Sequence, residues 1–253
     1  MDQQPRPTQD APFAGILASY PRSGRTWLAG MIGEVLRRSV PLPKGTRVFA
    51  TDHREEAITE FYEQFDGPAP IPVRLATHMK ASEVPHVERV VLVVRDPFDS
   101  LVSYFHYTTK HTSQFDGDIG AFLQSRGYGT ERLARWFNSW APMSATALVV
   151  PYEQLRQHPA TYLSKTLDAF GIEHDEDLEA TAGRWDFERR QAREVERSES
   201  ADANSLFVRS GAVGTGVTEL TDAEVRYVHS SLTELLTPAS QALMTELGYL
   251  GAS

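Results

Sequence analysis

Apolar residues fall along this chain in short unbroken runs, separated by longer stretches in which they recur at helical intervals. Gly15-Ile16-Leu17-Ala18-Ser19 is one such run, ended by Tyr20-Pro21, and from Thr26 to Arg38 the apolar positions Trp27, Met31, Ile32, Val35 and Leu36 share one helical face. The pattern predicts a strand, a tight loop and a helix. Arg89-Val90-Val91-Leu92-Val93-Val94-Arg95 is apolar and β-branched inside, as in a strand covered on both faces of a parallel sheet. Asp96-Pro97 then supplies an N-cap and a first-turn proline for a helix through about Tyr107. A third strand over Ala147-Leu148-Val149-Val150 leads into Tyr152-Glu153 and a helix from near Pro159 to Phe170. Pro72 to His78 is also strand-like, and Asp222 to Leu247 has helical spacing. Strands alternating with helices imply an α/β fold, a single domain with a central, mostly parallel sheet flanked by helices. Ligands are then expected at the carboxyl ends of the strands.

The connections carry a second kind of information. Residues 39–55 and 107–130 are polar or glycine-containing and are candidates to line a substrate mouth, while 188–206, dense in alternating charges with Ser and Ala, read as mobile. Composition narrows the partners. The 253-residue chain carries 25 Lys+Arg against 34 Asp+Glu, a formal net charge of −9, which disfavours a broad nucleic-acid coat. One small anionic ligand in a local basic pocket is not excluded. With no cysteine there is no disulfide framework and no thiolate-bound zinc or iron–sulfur site. No stretch reaches the ~20 apolar residues of a membrane span, and the opening MDQQPRPTQDAPF lacks a cationic-then-apolar signal pattern. These features lead us to expect a cytoplasmic protein with a loose tail over residues 1–13 and a folded domain over 14–253. They leave the oligomeric state open, a homodimer included.

The candidate chemistry starts at the first loop, Tyr20-Pro21-Arg22-Ser23-Gly24-Arg25-Thr26-Trp27. A loop entering a helix presents unpaired backbone N–H groups and a partial positive charge to an anion. Gly24 allows close backbone approach, Arg22 and Arg25 add guanidinium donors, and Ser23 and Thr26 add hydroxyls. Against the nucleotide-binding pattern G-x-x-x-x-G-K-[ST], Ser19 replaces the first Gly and Arg25 the Lys, so the match to an ATP or GTP loop is poor.

The same segment resembles the 5′-phosphosulfate loop, YPKSGTTW, of cytosolic-type sulfotransferases, which use 3′-phosphoadenosine 5′-phosphosulfate (PAPS) as sulfuryl donor. Other segments are similar to that family in the same order. Arg95-Asp96-Pro97-Phe98-Asp99 through Ser103-Tyr104 resembles the 3′-phosphate motif, which implies that Arg95 and Ser103 converge on that phosphate; Asp96 and Asp99 read as helix capping and first-turn charges. Arg209-Ser210-Gly211 through Gly214 is similar to the R-K-G-x-x-G segment, with Ser210 in place of Lys and Thr215-Gly216-Val217 in place of Asp-Trp-Lys. The resemblance further implies that Tyr152, Trp27 and the Phe187 of Trp185-Asp186-Phe187-Glu188 approach the adenine, and that Gly127-Tyr128-Gly129 with Trp136 and Trp140 is scaffold.

Thr77-His78 looks like the family's [KR]-[ST]-H motif, which implies that His78 is the general base taking a proton from the acceptor hydroxyl, near neutral pH. The Lys that usually precedes it is Ala76, with Lys80 and Arg74 as possible substitutes, and the loop Lys at the bridging oxygen is Arg22, which can neutralise a departing phosphate. The implied reaction is in-line transfer to an alcohol or phenol of a small organic acceptor, giving 3′,5′-ADP, with no metal. Aromatic residues such as Phe49, Phe61, Phe105, Tyr107 and Phe122 point to an acceptor with hydrophobic surface, and His106 and His111 are expected near it. Two rival readings are a P-loop-type small-molecule kinase and a degenerate, non-catalytic nucleotide-binding module.

Overall fold

The computed structural model describes residues 13–251, except 52, 175–176, 187–188, 190 and 193–210. The stretch 188–206 and the site candidates Phe187, Arg209 and Ser210 therefore lie almost entirely or wholly outside the described residues.

Four parallel strands form the sheet: β1 (Ile16–Ser19), β2 (Leu75–Thr77), β3 (Val90–Val94) and β4 (Leu148–Pro151), in the order β2-β1-β3-β4. Register is set by Ile16 opposite both Leu75 and Val90, and by Val91 opposite Leu148. Every residue of β1, β2 and β3 is buried, as the continuous apolar runs require of strands covered on both faces. Because all four run the same way, Ser19, His78, Arg95 and Tyr152 follow or end adjacent strands along one edge of the sheet. The α/β class with a parallel sheet is as the sequence pattern predicts.

Helices cover the sheet. α1 (Arg25–Ser39) follows β1 and buries Trp27, Leu28, Met31, Ile32, Val35 and Leu36, the predicted apolar face and Leu28 beside it. It has no side-chain N-cap; the Trp27 and Leu28 amides bond the Gly24 carbonyl, and the Arg25 and Thr26 amides at the start of the helix face outward to a ligand without a backbone partner among the described residues. α2 (Glu55–Tyr62) lies in the β1–β2 crossover, where no helix was predicted. α3 (Pro97–His106) starts as expected: Asp96 Oδ1 accepts from the amides of Phe98 and Asp99 at 2.9 and 3.0 Å. A π-helical turn, Tyr107–His111, continues it into the 107–130 connection, which also holds α4 (Ile119–Gln124). α5 (Thr130–Trp140) buries Trp136 and Trp140 as scaffold. After β4 come α6 (Tyr152–Gln157), α7 (Pro159–Ala169) and α8 (Leu178–Arg184).

The helical spacing of Asp222 to Leu247 resolves into two helices, α9 (Asp222–Leu235) and α10 (Pro238–Glu246). Pro238 cannot donate within a continuous helix, and Thr237 instead caps a new one through Ser240 N. The aromatics expected at the acceptor go largely to the core. Phe49, Phe61 and Phe122 are buried, with Phe61 edge-on to Tyr62 and Phe65, and Phe122 packed by Phe105 and Phe115.

Candidate active site

The loop between β1 and α1 is held in an uncommon backbone shape. Arg22 (φ 69°) and Gly24 (φ 94°) both take the left-handed conformation. Gly24 is needed on two counts, since a Cβ there would also stand 2.6 Å from the Tyr152 ring. The φ at Arg22 is strained for a non-glycine residue and persists because both its ends are tied: its carbonyl accepts from Arg95 Nη1 at 3.1 Å and its Nε reaches Ser103 Oγ at 3.4 Å. Its guanidinium also lies 4.9 Å from the Tyr107 ring centre.

Arg22, Arg95 and Ser103 are thus brought together as one group, but with Arg22 between the other two. Arg95 Nη2 donates to Ala212 O at 2.7 Å and sits 3.5 Å from Asp99, its guanidinium stacks 4.4 Å from the Tyr152 ring, and its Nε is buried without a partner among the described residues. Ser23 turns inward, buried against Ser100 Oγ at 3.5 Å, while Thr26 is exposed at the start of α1. Trp27 donates to the Trp185 carbonyl at 2.7 Å, lies edge-on to Tyr152 and has Arg156 over its ring. Tyr152 Oη donates to Gly211 O at 3.2 Å, so the loop, the end of β4 and the glycine segment meet in one cluster.

Asp99 does more than the first-turn charge expected of it. Its carboxylate, 2 % exposed, accepts from Gly216 N at 2.6 Å and Gly214 N at 2.8 Å and so clasps the glycine segment to α3. His106 reinforces the clasp through Glu219 at 2.6 Å, and His111 stacks on Tyr107; neither lines the cavity beside His78 where they were expected. The sequence held one signal for Asp99, its place in the first turn of α3 only four residues after Arg95, within reach of that guanidinium at 3.5 Å. Glu34 was also missed: it binds Arg184, and its Oε2 accepts from Trp185 Nε1 at 2.5 Å, fixing the ring that packs over Gly30.

His78 follows β2 beside the carboxyl end of β1. Its Nδ1 lies 2.7 Å from the Ser19 carbonyl oxygen, with Ser19 Oγ at 3.2 Å on the same edge. A carbonyl can only accept, so Nδ1 carries the hydrogen and Nε2 keeps its lone pair. Burial first and then the positive charge of Arg25 bring its pKa down to about 3; the bond to the Ser19 carbonyl opposes them, and the charges of Arg132 and Arg22 add smaller downward pulls. The imidazole is therefore neutral across the physiological range.

His78 forms part of the wall of a cavity of about 720 Å³, with Arg25, Thr51, Lys80, Arg132 and Trp136 among the other lining residues. That volume suits a small organic molecule. The Arg25 side chain has no hydrogen bond or ion pair among the described residues, and burial lowers its pKa to about 10, so it stays charged at neutral pH. Of the two substitutes considered for a Lys at position 76, Arg74 is turned away, its guanidinium 5.8 Å from the Phe170 ring. Lys80 is on the wall but paired to Glu83 at 2.8 Å.

Known proteins share this arrangement of chain. Sulfotransferase 6B1 of Danio rerio is 23% identical over 237 residues, covering 86% of this chain and 77% of its own length. Cytosolic sulfotransferase 14 of Arabidopsis thaliana is 26% identical over 254 residues, covering 86% and 73% respectively. Mouse sulfotransferase SULT7A1, solved in complex with PAP, has the same fold: TM-score 0.67 at 20% identity, over 91% of this chain and 88% of that one. Among the described residues, no helix is long and apolar enough to cross a membrane. A model of the Sulfotransferase domain family matches residues 14–238, most of the sequence, and the chain belongs to that family of enzymes.

Proposed function

We propose that this sulfotransferase moves a sulfuryl group from PAPS to a hydroxyl of a small organic acceptor, in line, with His78 as general base. The observation that carries the reading is the pairing, on one cavity wall, of a neutral His78 and an Arg25 guanidinium, the His78 Nε2 and the Arg25 side chain both without a partner among the described residues. An acceptor hydroxyl gives its proton to Nε2 as its oxygen bonds to sulfur and the sulfur–phosphate oxygen bond breaks. The leaving group is 3′,5′-ADP.

The residues fit the donor. The open N–H groups of α1, Gly24, Arg25 and Thr26 are placed for the 5′-phosphosulfate. The buried Nε of Arg95, without a partner among the described residues, together with Arg22 and Ser103, marks where a 3′-phosphate would be held, with Gly211 near it and Arg209 and Ser210 assigned there by resemblance alone. Trp27 and Tyr152, edge-on to one another, offer aromatic faces for the adenine, and Phe187 is assigned there by resemblance alone. The four assigned guanidinium groups supply the positive charge this transfer needs. Cytoplasmic residence is part of the same reading.

Thermal-shift titration tests the donor site: 3′,5′-ADP should raise the melting temperature and ATP should not, whereas a kinase would show the reverse. Incubation with labelled PAPS and a panel of alcohols and phenols tests transfer, and nucleotide binding without label transfer to any acceptor would leave the non-catalytic module as the answer.

A further inference from the structure

On the cavity wall one edge of the Arg132 guanidinium and the Trp136 indole N–H have no acceptor among the described residues, and both residues stand on one face of α5. Arg132 and Trp136 are four residues apart and line the same cavity as His78. Arg132 spends Nη1 on Tyr104 Oη (3.0 Å) and Gly127 O (2.8 Å), which anchors the guanidinium over the Tyr104 ring. Its Nη2 and Nε have no acceptor among the described residues; Glu83, on the same wall, feels the charge of Arg132 but forms its ion pair with Lys80. Trp136 is 2 % exposed, and its indole N–H is buried without an acceptor among the described residues. A buried N–H left unbonded costs about 1–3 kcal/mol, so an arrangement that keeps one beside an open guanidinium edge is built to be completed.

The other cations of the wall are committed. Lys80 is on Glu83, Arg135 is on Glu131 and the Arg126 carbonyl, and Arg25 is assigned above to the donor.

We infer that the acceptor carries a carboxylate as well as its hydroxyl, and that the Nη2–Nε edge of Arg132 and the indole N–H of Trp136 grip it while the hydroxyl reaches His78. A guanidinium fork matches the two oxygens of a planar carboxylate, and the indole adds a third donor. The inference rests on the sulfuryl-transfer reading for the His78 end of the site.

Calorimetric titration of the protein saturated with 3′,5′-ADP tests it, using 3-(4-hydroxyphenyl)propionate and 10-hydroxydecanoate, each beside its methyl ester. The same pairs serve as acceptors with labelled PAPS. Acids are expected to bind at least tenfold tighter than esters and to lead in kcat/KM by a similar factor. Arg132→Ala should bring the acids down to the level of their esters, Arg132→Lys should keep part of the preference, and Trp136→Phe should lower it with the ring retained. Acids that bind no better than esters to the unaltered protein, or that do not bind, overturn the inference, as does loss of 3′,5′-ADP binding in Arg132→Ala. Failure of the unaltered protein to bind 3′,5′-ADP would instead strike the donor reading.

Discussion

Replacing Asp99 by alanine should both destabilise the protein and loosen its grip on nucleotide, and the size of each effect follows from what the carboxylate touches. It neutralises Arg95 at 3.5 Å and accepts from Gly216 N and Gly214 N, in a position 2 % exposed. Breaking a buried pair by removing one partner costs about 3–5 kcal/mol. Arg95 keeps the Ala212 and Arg22 carbonyls, which argues for the lower end. Gly214 is exposed and its amide can take water, so it adds little. Gly216 is buried, its Cα so close to α3 that a Cβ would stand 2.5 Å from the Phe98 carbonyl carbon, and its orphaned amide has no water to turn to. We expect about 3 kcal/mol in all, a fall in melting temperature of roughly 6–12 °C for a chain of this length. Because the same clasp positions Gly211 and Ala212 against Tyr152 and Arg95, 3′,5′-ADP affinity should fall at least tenfold beyond the effect of lost stability. The assays are differential scanning calorimetry and titration with 3′,5′-ADP below the transition. A variant melting within about 2 °C of the parent and binding the nucleotide unchanged would refute the reasoning.

Three further outcomes are expected. His78→Gln should bind 3′,5′-ADP yet fail to transfer label from PAPS. It should also flatten the acid side of the stability profile: the folded His78 value lies near 3 and the unfolded value near 6.5, so below pH 6.5 the unfolded chain gains a proton the folded one refuses, and stability falls with pH by up to about 1.4 kcal/mol per unit. Denaturant melts of both proteins at pH 7 and pH 5 check this, and parallel profiles would sink it. Arg22→Ala should abolish turnover while Arg22→Lys keeps some; equal loss in both would remove the case for charge alone at that position. Gly30→Ala would drive a methyl to 2.1 Å from the Trp185 ring, cost about 1–3 kcal/mol and disturb Trp27 through its bond to the Trp185 carbonyl, read as a melting shift with a change in tryptophan fluorescence.

How much of this was legible in sequence differs by element. The strands were, because burial on both faces demands unbroken apolar runs such as Val90–Val94, and so was the start of α3, because Asp96-Pro97 is a local signal. The break between α9 and α10 was readable at Pro238 but masked by continuous helical spacing across it. Loop residues that follow β1 and β2 were found from chemistry and order, yet their partners were not. That Arg22 comes to lie between Arg95 and Ser103 depends on a positive φ at a non-glycine residue, which no local pattern predicts. Asp99 was misread because a first-turn carboxylate usually answers only to its own helix, whereas here it reaches a segment 115 positions away. The aromatics of the two long connections were taken for acceptor wall because aromatic content alone does not distinguish a pocket from a core.

The missing lysine before Thr77-His78 is, with Ser210 and the Thr215-Gly216-Val217 replacement, one of the departures behind the degenerate-module reading, and the fold gives it a different meaning. Ala76 is buried at 4 % exposure, paired with Leu17 across the sheet and donating its amide to Ala50 at 2.8 Å, so the strand itself is well formed without a cation there. Positive charge reaches the same cavity from the first residue of α1 instead. Arg25 stands on the helix end whose dipole already favours an anion, keeps its proton to about pH 10 and, among the described residues, is engaged by no carboxylate. It is also the largest single charge acting on His78. On the proposed reading the two facts have one consequence: a donor anion that neutralises Arg25 removes the charge that most opposes protonation of His78, so binding of the sulfuryl donor raises the basicity of the group that must take the acceptor's proton.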